Sequence, residues 1–159
     1  MIHIVNRSMS KMTNIMVAFD AGARVEEDFN YSPGIAHMLE HCIFKGTVKR
    51  NWQDISRDIG FLGGDVNAFT SHDIVAYYIT VPKENTESAV DILSDIVLNS
   101  QVPDEEFQKE REVVKEEEIS RLDDVDSYMW KHFGENFFDN YISKPVIGTQ
   151  DTISEFTSK

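Results

Sequence analysis

The 159-residue sequence predicts an α+β fold, with an antiparallel sheet covered by helices, and three observations predict it. Strand-like segments come in adjacent pairs, which favours antiparallel pairing over parallel crossovers. Helical patterns rich in strong helix formers separate the pairs. Finally, 41% hydrophobic with 27% charged residues is ordinary globular composition, so the chain is long enough and apolar enough for one domain with a real core.

In chain order, residues 2–6 and 14–22 read as strands because apolar and β-branched residues dominate them. A helix is expected over 33–45: Ser32-Pro33-Gly34 suits its start and Gly46 its stop. A shorter helix follows over 52–59. Residues 63–81 read as a hairpin, with β-branched and aromatic strands on either side of the polar His72-Asp73 and an irregular start at Gly63-Gly64. Helices are then expected over 86–99, over 103–122 behind Pro103-Asp104, and over 126–138. Tyr77, Tyr78, Trp130, Phe133, Phe137 and Phe138 are expected to pack in the core, three of them at helical spacing on the last helix.

The chemistry is concentrated in His37-Met38-Leu39-Glu40-His41. An α-helix turns about 100° per residue, so residues three and four apart share a face, and His37, Glu40 and His41 lie together. Two imidazoles in that arrangement can meet one Zn²⁺ at about 2.0–2.1 Å, with the carboxylate reaching a metal-bound water instead of the metal. The order is the reverse of the commoner His-Glu-x-x-His. A catalytic zinc usually has three protein ligands, so a further one is needed from elsewhere. On the acidic helix, Phe107, Glu110, Val114, Glu117 and Arg121 form one stripe, in which the two glutamates interrupt an apolar face. Either that stripe is partly solvated or the glutamates face a metal site, because an uncompensated buried carboxylate is costly.

Around the motif, Pro33-Gly34-Ile35-Ala36 leads in and Ile43-Phe44-Lys45-Gly46-Thr47 follows. Gly63-Gly64-Asp65-Val66-Asn67-Ala68-Phe69-Thr70-Ser71 and Glu110-Arg111-Glu112-Val113-Val114-Lys115-Glu116-Glu117 lie downstream. In these blocks, their order and their spacing, over about 21–154, the chain resembles the pitrilysin or insulinase family of zinc metallopeptidases, the inverzincins, which includes mitochondrial processing peptidases. The resemblance implies a pitrilysin-type lobe and a zinc-dependent endopeptidase acting on peptides or unfolded segments. It implies that His37 and His41 bind Zn²⁺, that Glu40 is the general base and that Glu110 supports a ligand. The third ligand falls among Glu116, Glu117 and Glu118; counting seven positions from Glu110, on the same helix face, selects Glu117, with Glu118 as the alternative. Zinc-activated water, deprotonated by Glu40, would then attack the scissile carbonyl.

The resemblance also makes the strand around Asn67, Ala68 and Phe69 an edge that takes substrate as an added β-strand, with those three residues as contacts. Without it, an interior strand is the simpler reading. A typical member has two or more lobes that close on the peptide, and no second lobe or repeat is present here. Residues 145–149 and 153–157 resemble the middle of a lobe, so the chain reads as a single catalytic-type lobe over 1–159, incomplete at its C-terminal end. Asn140-Tyr141-Ile142-Ser143-Lys144-Pro145 replaces the family's usual His-Pro segment. Either the chain is an N-terminal fragment of a longer enzyme, or a homo-oligomer or a second chain supplying the facing lobe is expected as partner. The competing reading is a zinc-stabilised peptide-binding lobe of weak or no activity, or a subunit of a larger processing assembly.

Cys42, the single cysteine, reads as a small buried hydrophobe, and His3, His72 and His132 as ordinary histidines. The net charge of −13 argues against a nucleic-acid partner. Residues 104–126 hold 11 acidic against 4 basic residues, which either steers basic peptides or forms a solvated face. With no apolar run approaching about 18 residues and no charged-then-apolar leader, a soluble, reducing compartment such as the cytoplasm is expected, without membrane contact.

Overall fold

The computed structural model describes residues 4–5 and 9–158. Strand β1 (Met12–Asp20) leads to helix α1 (Ala23–Asp28) and to α2 (Ile35–Cys42), which tightens into a 3₁₀ turn at Ile43–Lys45. Then come α3 (Trp52–Phe61), β2 (Asp65–Thr70), β3 (Ile74–Pro82), α4 (Thr86–Asn99), α5 (Asp104–Asp123), α6 (Val125–Phe137) and α7 (Gln150–Glu155). The described strands form an antiparallel sheet in the order β1-β3-β2, with Met16 opposite Tyr78 and Asn67 opposite Tyr78 on its other side. The expected mixture of antiparallel sheet and covering helices is what the chain adopts.

β3 is central because its run of β-branched and aromatic residues can be buried on both faces; Ala76, Ile79 and Val81 have no exposed surface. β2 alternates exposed and half-buried residues and lies at the sheet edge, not in its interior. One core joins the sheet to α3 and α4 through Ile55, Ile59, Tyr77, Ile79, Leu93 and Ile96. A second core joins Met38 and Cys42 on α2 to Phe107 and Val114 on α5 and to Ile147, Ile153 and Phe156. Burial of Phe107 and Val114 contributes about 1.5–3 kcal/mol each. This second core clamps α2 against α5 and so sets the distance between the motif and the acidic helix.

Several expectations change. The strand expected over 2–6 lies outside the described residues except for Ile4 and Val5, which are exposed and have no regular structure. The motif helix begins at Ile35 and not at Pro33, because Gly34 takes φ 98° and no side chain caps the helix from that position. A Cβ on Gly34 would stand 2.6 Å from the Ile147 carbonyl oxygen, and one on Gly148 2.6 Å from that of Pro33, so the two glycines let the later loop cross the start of α2. The short helices α1 and α7 were not anticipated. The aromatic helix is the largest correction: Trp130, Phe133 and Phe137 are 64%, 41% and 71% exposed, and outside both cores Trp130 meets Phe133 edge-on while Phe133 stacks on Phe137. Helical spacing aligns such residues on one face but does not say what covers that face. Tyr77 is buried as expected.

Much of the segment after the motif is scaffold. Thr47 Oγ1 accepts from the Lys49 and Arg50 amides and donates to Asp95, and Arg50 reaches Asp95, Asp91 and Asp58 at 2.6, 3.0 and 3.3 Å. Burial pushes the Asp95 carboxyl up, but hydrogen bonds from Thr47, Asn99 and Arg50 outweigh it and hold its pKa below the ordinary value. No helix among the described residues is long and apolar enough to cross a membrane.

Candidate metal centre

The second core takes Met38 and Cys42, so α2 turns His37, Glu40 and His41 away from it. The two imidazole rings stand 4.7 Å apart, centroid to centroid. Across from them α5 supplies Glu117, whose Oε2 is 3.3 Å from His41 Nε2 and 3.9 Å from His37 Nε2. Ligand atoms of His37, His41 and Glu117 all lie within 4.8 Å of one another. Of the three successive glutamates only Glu117 joins this cluster. Glu116 is exposed, and Glu118 is buried on another side, accepting from Gln150 Nε2 at 2.9 Å and facing Lys131.

The remaining expected residues surround the cluster. Glu110 Oε2 stands 3.3 Å from His41 Nδ1, and its other oxygen is held by Lys45. With a metal bound, a proton on Nδ1 directed at Glu110 would free the Nε2 lone pair for the metal, the tautomer a ligand needs. Glu40 lies outside the ligand cluster and accepts a hydrogen bond from Thr70 Oγ1 at the end of β2. Asn67, Ala68 and Phe69 precede Thr70 on that edge strand; Asn67 and Phe69 are exposed, and Ala68 is half-buried. The Asn67 side-chain oxygen accepts from the Ala68 amide at 2.8 Å.

Electrostatics suit a metal. Burial, and then the neighbouring His41, push the His37 pKa down to about 4, so it is neutral at pH 7. The hydrogen bond with His41 and those from Arg121 overcome burial and hold the Glu117 carboxyl at about 2. The hydrogen bond to Glu117, against burial and with help from Glu110, raises His41. His37 Nδ1 is buried without a hydrogen-bond partner. Two imidazole nitrogens and one ionised carboxylate oxygen, converging on one point, are a donor set that fits zinc.

Other candidates stay minor. Cys42 is buried, and its thiol is pushed up to about 12 by burial and then by Glu110, which makes it inert near neutral pH. His132 pairs with Glu135 on the surface, and His3 lies outside the described residues. His72 has a buried Nε2 without a partner and packs near Tyr141. An apolar cavity of about 830 Å³ runs behind α2, lined by Phe19, Leu39, Tyr77 and Phe107 among others, and none of the cluster residues reaches it.

The family model described as "Insulinase (Peptidase family M16)" matches residues 2–150. The chain belongs to the insulinase family, peptidase family M16. Among its insulinase-family relatives, an uncharacterized zinc protease of Rickettsia felis is 36% identical over 139 residues, covering 87% of this chain and 33% of the relative. The mitochondrial-processing peptidase subunit beta of Dictyostelium discoideum is 43% identical over 112 residues, 70% of this chain and 24% of that one. The crystal structure of a protease from Helicobacter pylori superposes with a TM-score of 0.82 at 27% identity, covering 93% of this chain and 36% of the other. The chain thus spans about a third or less of the length of these relatives.

Four contributors escaped the sequence reading. Arg121 lies four residues beyond its partner Glu117, a helical spacing that could have paired them, whereas Lys45 reaches Glu110 across to α5. Thr70 and the buried Glu26, whose carboxylate accepts from the Gly34 and Ala36 amides at the start of α2, act across loops and leave no such periodic signal.

Proposed function

We propose that this chain carries the zinc-binding and proton-transferring half of a metalloendopeptidase. His37, His41 and Glu117 hold Zn²⁺, Glu110 orients His41, and Glu40 is the general base. The observation that carries the reading is the convergence of the two α2 imidazoles with Glu117 within 4.8 Å while Glu40 stays outside that group. Zinc bound there would supply an acidified water and polarise a peptide carbonyl. Glu40, held at one oxygen by Thr70, is placed to take a proton and return it to the leaving amine. The edge strand β2 receives the peptide as an added strand through Asn67, Ala68 and Phe69, which brings the backbone past Thr70 toward Glu40.

Binding one zinc per chain, with loss of that zinc in His41→Ala and Glu117→Ala, is the expected result by native mass spectrometry. Unchanged zinc content in both variants would sink the metal assignment. Asn67→Ala is expected to raise KM for peptides several-fold with the thermal midpoint little moved, because its side chain is exposed; a large drop in midpoint at unchanged KM would return the strand to a purely structural role.

The chain spans 33% of the Rickettsia relative's length, and closure over the peptide is assigned to a facing lobe outside these 159 residues, in the same protein or in a second copy or another chain. The likeness to a processing-peptidase subunit favours one rival, a zinc-stabilised peptide-binding lobe or a subunit of a processing assembly. Chelator-sensitive cleavage of an unstructured peptide by the isolated chain separates the two: cleavage excludes the rival, and peptide binding without cleavage selects it.

A further inference from the structure

We propose that Arg121 is a positioning residue of the metal centre, which commits one oxygen of Glu117 to its guanidinium so that the other alone faces the histidines. The inference rests on His37, His41 and Glu117 being the zinc ligands. Arg121 Nε and Nη2 lie 3.0 and 2.7 Å from the same atom, Glu117 Oε1. Glu117 Oε2 is the atom that stands 3.3 Å from His41 Nε2 and 3.9 Å from His37 Nε2. The two oxygens of one carboxylate therefore have separate duties.

The physical need is clear from the side chain involved. The terminal torsion of a glutamate is broad and roughly two-fold, so an untethered Glu117, 31% exposed, would turn either oxygen or both toward the site. Two donors on Oε1 remove that freedom before a metal arrives. An i,i+4 pair on a solvated helix face adds little to stability; this one differs in that its carboxylate is shared with two imidazoles. Lys45 shows the same arrangement on the other side, one turn beyond His41, where it holds the Glu110 oxygen that does not face the imidazole. The centre is thus flanked by two cation–carboxylate clamps, one on a ligand and one on the carboxylate beside a ligand. Charge alone works the other way, since a guanidinium repels a dication, so the sign of the effect distinguishes positioning from simple electrostatics.

The test is the zinc dissociation constant of the full chain, by competition with a chromophoric chelator, for the parent, Arg121→Met, Arg121→Lys and Glu117→Ala. Arg121→Met keeps the aliphatic stem and is expected to weaken zinc binding by about 10–100-fold, with the metal-free thermal midpoint near the parent's. Arg121→Lys should recover part of the loss, because an ammonium reaches Oε1 as a point charge without the fork. Zinc affinity in Arg121→Met equal to or tighter than the parent's, while Glu117→Ala loses zinc, overturns the positioning role and leaves the ligand set standing. Parent-like affinity in Glu117→Ala overturns both.

Discussion

Glu40→Gln is expected to retain one zinc per chain while peptide hydrolysis falls by about 10²–10⁴-fold, the usual contribution of a positioned general base. The amide is nearly isosteric, and its oxygen can still accept from Thr70 Oγ1, so the contact between α2 and the end of β2 survives. What it cannot do is take a proton at neutral pH. Zinc content should not change, since Glu40 is not among the side chains that converge within 4.8 Å. Zinc per chain by mass spectrometry and turnover of a fluorogenic peptide, in whichever assembly gives parent cleavage, check both halves. Parent-rate cleavage would remove Glu40 as base, and loss of zinc would make it a ligand.

The second large effect concerns Glu26, far from the chemistry in sequence but tied to its frame. The carboxylate is 3% exposed and accepts from the Gly34 amide at 3.1 and 3.2 Å and from the Ala36 amide at 2.8 Å. It satisfies donors that a helix start leaves open, in the place where no side chain of the preceding loop caps α2. Glu26→Ala orphans these amides, at a cost of about 1–3 kcal/mol for each buried donor left unpaired. The thermal midpoint should fall by on the order of 10 °C, and zinc affinity should fall with it, because the first turn of α2 carries His37. A midpoint within about 2 °C of the parent would show that the cap contributes nothing.

Glu26 also has a pH signature. Burial raises its pKa above the ordinary 4.5, more than the hydrogen bonds from Ala36, Gly34 and Ile35 lower it. A raised carboxyl binds its proton more tightly in the folded state, so its stabilising contribution is complete below the ordinary value and is lost as pH rises through the raised one. Glu26→Gln does not titrate, so its stability relative to the parent should improve on going from acid to neutral pH, as thermal melts at both ends would show.

The shared face of His37, Glu40 and His41 on α2 was legible in the sequence because helix geometry turns spacing into direction. The same rule placed Glu110 and Glu117 on one face of α5. Spacing could not tell a solvated acidic stripe from a metal site, because that depends on what α5 packs against. Phe107 and Val114, meeting Met38 and Cys42 in the second core, turn Glu110 and Glu117 toward His37 and His41. The same limit explains the failure with Trp130, Phe133 and Phe137. They share a face as expected, but no core element of the described chain covers it.

What the sequence by itself determined is local: the antiparallel α+β class, the longer helices, and the His37–His41 pair with Glu40 beside it. Each follows from periodicity or from turn chemistry within a few residues. What only the tertiary structure decided is which carboxylates meet which partners. Glu117 and not Glu118 faces the imidazoles, Glu110 bridges His41 to Lys45, Thr70 holds Glu40, and Glu26 caps α2. These contacts join groups that helices and strands bring together across loops, and burial fixes which oxygen points where.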